Sequence, residues 1–172
     1  MTNLKGYLRI KEASTLLLLM EKYRTADAAG KERIYGIYLG HTRYINNWDL
    51  VDVTAKHIVG AFLMDKDKAP LYKLAQSDSL WERRISILST FYFIAHNDFE
   101  ASFRIAEILL SDRHDLIHKA VGWMLREIGK QDMPSEEKFL KKHCAVMPRT
   151  MLRYAIERFP PQKRKAYLQG TA

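Results

Sequence analysis

The chain has 172 residues, 47% hydrophobic and 11% aromatic, which is enough apolar surface to bury one core of ordinary size, so residues 1–172 read as a single domain. Lys and Arg outnumber Asp and Glu by 28 to 20, and the resulting net charge of +8 favours an acidic partner such as nucleic acid. Cys144 is the only cysteine, which excludes an internal disulfide and a thiolate zinc cluster, predicts a buried or inert thiol, and makes a reducing cytoplasm the expected compartment.

Near the N-terminus, Lys5, Arg9 and Lys11 precede the apolar run Leu16 to Met20, and the small residues Ala26 to Ala29 follow it. That layout superficially resembles a signal peptide. The run is too short, however, and Glu21, Lys22 and Arg24 follow at once, so the segment predicts an amphipathic helix. No stretch approaches the ~18 apolar residues that a membrane span needs.

Further along, polar residues stand before apolar periodic stretches and predict helix starts. They are Asn47 before Trp48, Asp78 before "SLWERRISIL", Asp98 before "FEASFRIAEILL", Asp112 before "RHDLIHKAVGWML" and Asp132 before "MPSEEKFL". Pro148 suits the first turn of "PRTMLRYAIERF". Alternating runs bounded by hairpin turns do not occur, so the fold class is all-α. Shorter helices ("APLYKLAQ", "FEASFRIAEILL", "SEEKFLKKHCA") alternate with longer ones beginning near Trp48, Leu80, His114 and Met147. Helix pairs repeating every 30 to 40 residues or so mark a HEAT-like α-α superhelix, a solenoid of stacked antiparallel pairs.

Superposing "WERRISIL", "IHKAVGWML" and "MPRTMLRYAI" places Arg84, Lys119 and Arg149 at one position, and one repeat earlier the same position is Asp52. Adding or subtracting four residues stays on the same helix face and brings in Trp48, Trp123 and Arg153. The expected concave surface is therefore a basic groove holding tryptophans and a single carboxylate. Arg84, Lys119, Arg149 and Arg153 suit a track for phosphates, against the alternative of a solvated helix face. Trp48 and Trp123 have core packing as their alternative, but their charged neighbours on the same face argue against full burial.

Asp52 lies past the first turn of its helix, too late to cap it. A salt bridge to Arg84 is its other structural use, and that does not exclude function, because an adjacent guanidinium favours the ionised carboxylate. An acid in a phosphate track weakens binding, so it needs a compensating use. N-glycosidic cleavage supplies one, because the departing base leaves an oxocarbenium-like sugar that a fixed carboxylate stabilises while it orients water.

"HDLIH" sets His114 and His118 four apart around Asp115, but the zinc-protease pattern needs Glu after the first His and a third ligand. The expectation is no metal, with the histidines near a helix start and His118 placed to help hold a DNA backbone. A Ser/His/Asp hydrolase would need a G-x-S-x-G elbow, which the chain lacks.

Together "YINNWDLVD", "WERRISIL", "DLIHKAVGWMLREIGK" and "MPRTMLRYAIERF" resemble the DNA alkylation repair family, the AlkD-like DNA glycosylases, from about Tyr44 to Phe159. The resemblance implies a HEAT-like superhelix that holds duplex DNA in its basic groove and removes positively charged N3- or N7-alkylated purines without metal or other cofactor. Carried over by motif, the resemblance implies that Asp52 is the essential acid, that Trp48 and Trp123 pack against the DNA backbone beside the lesion, and that Arg84 matches the second basic position after "W-x-x" in such enzymes. The base is not drawn into a pocket, unlike in the usual flipping enzymes. Against the resembled proteins the chain is expected to begin late and to be missing one or two N-terminal helices, along with an aromatic that helps frame the lesion in them. A monomer is expected, with a homodimer through an uncapped N-terminal end as the alternative. The runner-up function is a non-catalytic HEAT-like module that binds DNA structures or a protein.

Overall fold

A computed structural model describes residues 4–171, with side chains from residue 14 onward. Among the described residues every regular element is helical. Lys5, Arg9 and Lys11 lie outside the described side chains.

Helix α1 (Leu4–Thr25) turns Leu16, Leu19, Met20 and Tyr23 towards the core at the i, i+3, i+4, i+7 spacing of one helical face. Leu17 and Leu18 stay exposed, so the helix is less sharply two-sided than its sequence predicts. No described helix is long and apolar enough to cross a membrane. Asp27 caps α2 (Ala28–Gly40) by accepting from Gly30 N at 2.8 Å. The buried Tyr38 hydroxyl of α2 pairs with Thr54 Oγ1 at 2.9 Å and so ties α2 to the next helix.

That helix, α3 (Trp48–Ala55), starts as predicted: the Asn47 side chain accepts from Asp49 N at 3.2 Å. It runs into a wide π turn over Lys56–Gly60 and a last short turn, α4 (Ala61–Leu63). A Cβ at Gly60 would sit 2.2 Å from the Ser89 carbonyl oxygen, so only glycine lets the neighbouring helix come this close.

The remaining helices are α5 (Ala69–Ala75), α6 (Leu80–Ile94), α7 (Glu100–Leu109), α8 (Asp115–Gln131), α9 (Met133–His143), α10 (Arg149–Ala155) and α11 (Pro161–Gln169). Asp132 caps α9 as predicted, accepting from Ser135 N at 3.2 Å and Ser135 Oγ at 2.5 Å. Three other starts shift by a residue or two. Ser79 and Phe99 occupy the cap positions of α6 and α7 without a side-chain cap bond. Asp112 accepts from His114 N at 2.8 Å, and His114 Nδ1 is the group that caps α8, accepting from Leu116 N at 3.2 Å. Pro148 stands at the cap of α10, one position ahead of the first turn.

Helix α6 packs on α3 and on α8, and α8 on α10, so these four form one row. Helices α5, α7 and α9 pack along that row as partners of α6 and α8. In α8 Ile117, Val121, Met124, Leu125 and Ile128 are at most 1% exposed. Each such side chain contributes about 1.5–3 kcal/mol on burial. The row carries the site.

Candidate active site

Because Asn47 starts α3 at Trp48, Asp52 follows one turn later on the same face, while Leu50, Val51, Thr54 and Ala55 are buried on the other. Trp48 and Asp52 line a cleft of about 550 Å³ with Arg84 of α6, Leu116, Lys119, Trp123 and Arg126 of α8, and Tyr154 of α10. The structure thus brings together five of the residues singled out in the sequence, Trp48, Asp52, Arg84, Lys119 and Trp123.

The carboxylate of Asp52 and the guanidinium of Arg84 meet in two parallel bonds, Nε to Oδ1 at 2.8 Å and Nη2 to Oδ2 at 2.7 Å. Nη1 donates to the Leu116 carbonyl at 2.5 Å, so one side chain ties α3, α6 and α8 together. Arg84 is only 5% exposed. A buried guanidinium is tolerated when its donors are matched, and the bidentate fork is the strong form of that match. This corrects the expected phosphate track at one position: Arg84 is committed to Asp52 beneath the cleft and is not a free cation in its wall. The Asp52 side chain is 18% exposed towards the cleft, with both oxygens oriented from behind.

Arg84→Lys keeps the charge but loses the fork and the bond to Leu116. Stability should fall by roughly 1–3 kcal/mol, read from the urea midpoint; an unmoved midpoint would mean that the pair holds nothing in place.

The two indoles differ. Trp48 is 49% exposed, so its ring is open to a ligand. Trp123 is half-buried: Nε1 donates to Glu127 Oε1 at 3.0 Å, and the ring meets Phe91 edge-on at 5.6 Å between centroids. The Lys56 ammonium lies over the Phe91 ring, 4.3 Å from its centroid.

Lys119 sits at the rim, its ammonium 2.6 Å from Asp115 one turn before it. That hydrogen bond holds Lys119 above the usual lysine range, and it is also the largest cause that holds Asp115 below the usual carboxylate range, with the Thr150 hydroxyl adding to it.

On α10 the predicted register is out by one residue. Thr150 reaches Asp115 and Tyr154 lines the cleft, whereas Arg149 and Arg153 lie beside this stripe and are exposed. Arg149 Nη2 donates to the Leu168 carbonyl at the end of α11. The physical reason is the contact between α8 and α10: a Cβ at Gly122 would lie 2.4 Å from the Met151 carbonyl oxygen and 2.5 Å from Tyr154 Cβ. Backbone pressed on backbone at that point decides which α10 residues face the cleft.

His118 is also placed differently from expectation. It stands in the first turn of α8, and its Nε2 donates to the Asp112 carbonyl at 2.6 Å, so the ring serves the preceding loop and does not line the cleft. With His114 acting as a cap, both histidines of "HDLIH" have local partners. Among the described residues no three His, Cys, Asp or Glu side chains gather closely enough to hold a metal ion.

Sequence reasoning missed Arg126 and Tyr154. Arg126 was within reach, because the stripe Lys119, Trp123 extends to it by one more i+3 step; it pairs with Glu157 at the cleft edge. Tyr154 had no such signal, since the cations at Arg149 and Arg153 drew the register away from it.

Fold and site together define a two-layer helical protein with a carboxylate between aromatic side chains in a cleft fringed by cations. The chain belongs to the DNA alkylation repair enzyme family, whose pattern it matches over residues 12–159. Comparison with curated proteins gives no match. Family membership sets the chain in the repair of alkylated DNA.

Proposed function

We propose that this chain is a DNA glycosylase that removes cationic N3- or N7-alkylated purines from duplex DNA without flipping the base into a pocket. The reading is carried by Asp52, a carboxylate that opens into the cleft lined by Trp48 and Trp123 while Arg84 holds both of its oxygens. The C1′–N bond breaks with its electron pair passing to the ring nitrogen, which neutralises the cationic base as the sugar becomes oxocarbenium-like. Water then adds to C1′ and gives up one proton, leaving free base and an abasic deoxyribose. Because the base departs as a neutral molecule, no general acid is needed. Asp52 faces the cationic sugar and orients the water. Trp48 and Trp123 brace the deoxyribose and backbone beside it.

In this reading the row α3, α6, α8 and α10 is the inner wall of a HEAT-like superhelix, and Lys119, Arg149 and Arg153 bind phosphates of DNA laid along it. Each phosphate neutralised releases counterions, so the double variant Arg149→Ala/Arg153→Ala should flatten the salt dependence of DNA binding by about two log units per log unit of salt. The measurement is a fluorescence titration at several salt concentrations, and an unchanged slope removes both from the track.

The same ion pair gives the second reading its support, since a carboxylate matched to a buried guanidinium also suits a non-catalytic module that binds DNA structures or a protein. Release of 7-methylguanine from methylated duplex DNA by the wild-type chain and by Asp52→Asn separates the two. No release by the wild type above the spontaneous rate supports the binding module, whereas equal catalysed release from both removes Asp52 from the chemistry.

A further inference from the structure

Tyr154 enters the cleft from α10, the far end of the row from Trp48, and at 37% exposed it is neither core nor free surface. The contact at Gly122 fixes where it stands: with no side chain at that position, α10 comes against α8 so closely that Tyr154 Cβ occupies the space a Cβ at Gly122 would need. The next residue on α8 is Trp123, and one turn earlier is Lys119, so Tyr154 lines the same cleft as the indole and the ammonium. Its hydroxyl takes no hydrogen bond from the protein among the described residues. Lys119 spends one of its donors on Asp115 at 2.6 Å, on the side towards the start of α8. An ammonium has three donors, which leaves Lys119 with capacity on the side of Tyr154. Arg126 lines the same cleft with its guanidinium paired to Glu157.

We propose that the Tyr154 hydroxyl and the Lys119 ammonium together seat one phosphodiester of the DNA strand that carries the reacting nucleotide. This rests on the DNA glycosylase reading above. A neutral O–H and an N–H of a cation both donate to phosphate oxygens, but only the cation displaces a counterion. The seat fixes the strand one step along from the sugar that Asp52 faces, and Tyr154 is in this sense a positioning residue. The carboxylate of Asp115, bound to the same ammonium at 2.6 Å, limits the seat to a single phosphate.

The test is a double-mutant cycle on duplex DNA holding a tetrahydrofuran abasic analogue, read as the dissociation constant and its salt slope. Melting temperatures and 7-methylguanine release are measured on the same proteins. Tyr154→Phe should weaken binding roughly three- to tenfold at constant salt slope, the range for one hydrogen bond to a charged group partly screened by water. Lys119→Ala should lower the slope by about one. In the Lys119→Ala background, Tyr154→Phe should cost less than twofold, because the phosphate is no longer seated. Two outcomes overturn the inference while leaving the glycosylase reading intact: wild-type release with no loss of binding in Tyr154→Phe, or the same loss in both backgrounds. A wild-type chain that neither binds the duplex nor releases base defeats the glycosylase reading, and this inference with it.

Discussion

Asp52→Asn should lower the release of 7-methylguanine from methylated duplex DNA by at least about 10²-fold, the scale seen when one preorganised group facing transition-state charge is removed. Binding of unmethylated duplex should stay within a fewfold of wild type, because Asp52 opposes the phosphates instead of holding them. The substitution also disturbs the protein itself. An asparagine can accept one bond from Arg84 through its carbonyl oxygen, but its NH₂ then meets Nη2, donor against donor, where a carboxylate oxygen now accepts at 2.7 Å. Leaving a buried guanidinium half-matched costs several kcal/mol, so part of any loss of activity could come from loosening. The assay therefore runs well below the variant's melting temperature, beside Asp52→Glu, which restores charge but moves it by one methylene. Loss in the asparagine variant with partial recovery in the glutamate variant assigns the effect to charge. Equal catalysed release by wild type and Asp52→Asn would sink the role given to Asp52.

Glu136→Gln should stabilise the protein, and the gain should grow as pH rises from about 5 to 8. Glu136 is 1% exposed, its Oε1 lacks a hydrogen-bond partner, and a Cβ at Gly129 would collide with Oε2, so the carboxyl is packed against the backbone of α8. Burial pushes its pKa from 4.5 up to about 8; the neighbouring Glu137 adds to the shift and Arg126 opposes it. The Tyr167 hydroxyl, also buried without a partner, is raised in pKa chiefly by its burial and in part by Glu136. Between those two values the unfolded chain has lost the proton and the folded protein keeps it, so the folded state binds more protons and stability falls with rising pH. The loss begins near pH 4.5 and levels off above about 8. At about 1.4 kcal/mol per pH unit, the total is on the order of a few kcal/mol. Glutamine has nothing to ionise and removes this slope. Urea denaturation of both proteins at pH 5 and pH 8.5 reads the difference directly, and parallel stabilities at the two pH values would show that the carboxyl is not desolvated.

Much of the fold was legible because its signals are local. Asn47 and Asp132 cap the helices they precede, since a cap needs only its own side chain and an amide two or three residues away. The pairing of Trp48 with Asp52, and of Lys119 with Trp123, follows from helical geometry alone. Where two polar residues compete for a cap, as Asp112 and His114 do before α8, local pattern is not enough, because both side chains bond the same short loop and the chain path decides which one closes the helix.

The amino-acid sequence by itself determined an all-helical chain, the positions of most helices, and a face on which one acid stands among tryptophans and cations, because each of these depends on spacings of a few residues. The partnership of Asp52 with Arg84, 32 residues away, could be suspected from the repeat, but its two parallel hydrogen bonds and its burial belong to the packing of α3, α6 and α8. The one-residue slide on α10, which exchanged Arg149 and Arg153 for Thr150 and Tyr154 at the cleft, was decided by the backbone contact at Gly122. Helix–helix register is set by which surfaces fit at close range. Like charges repeated along a sequence carry no information about that fit.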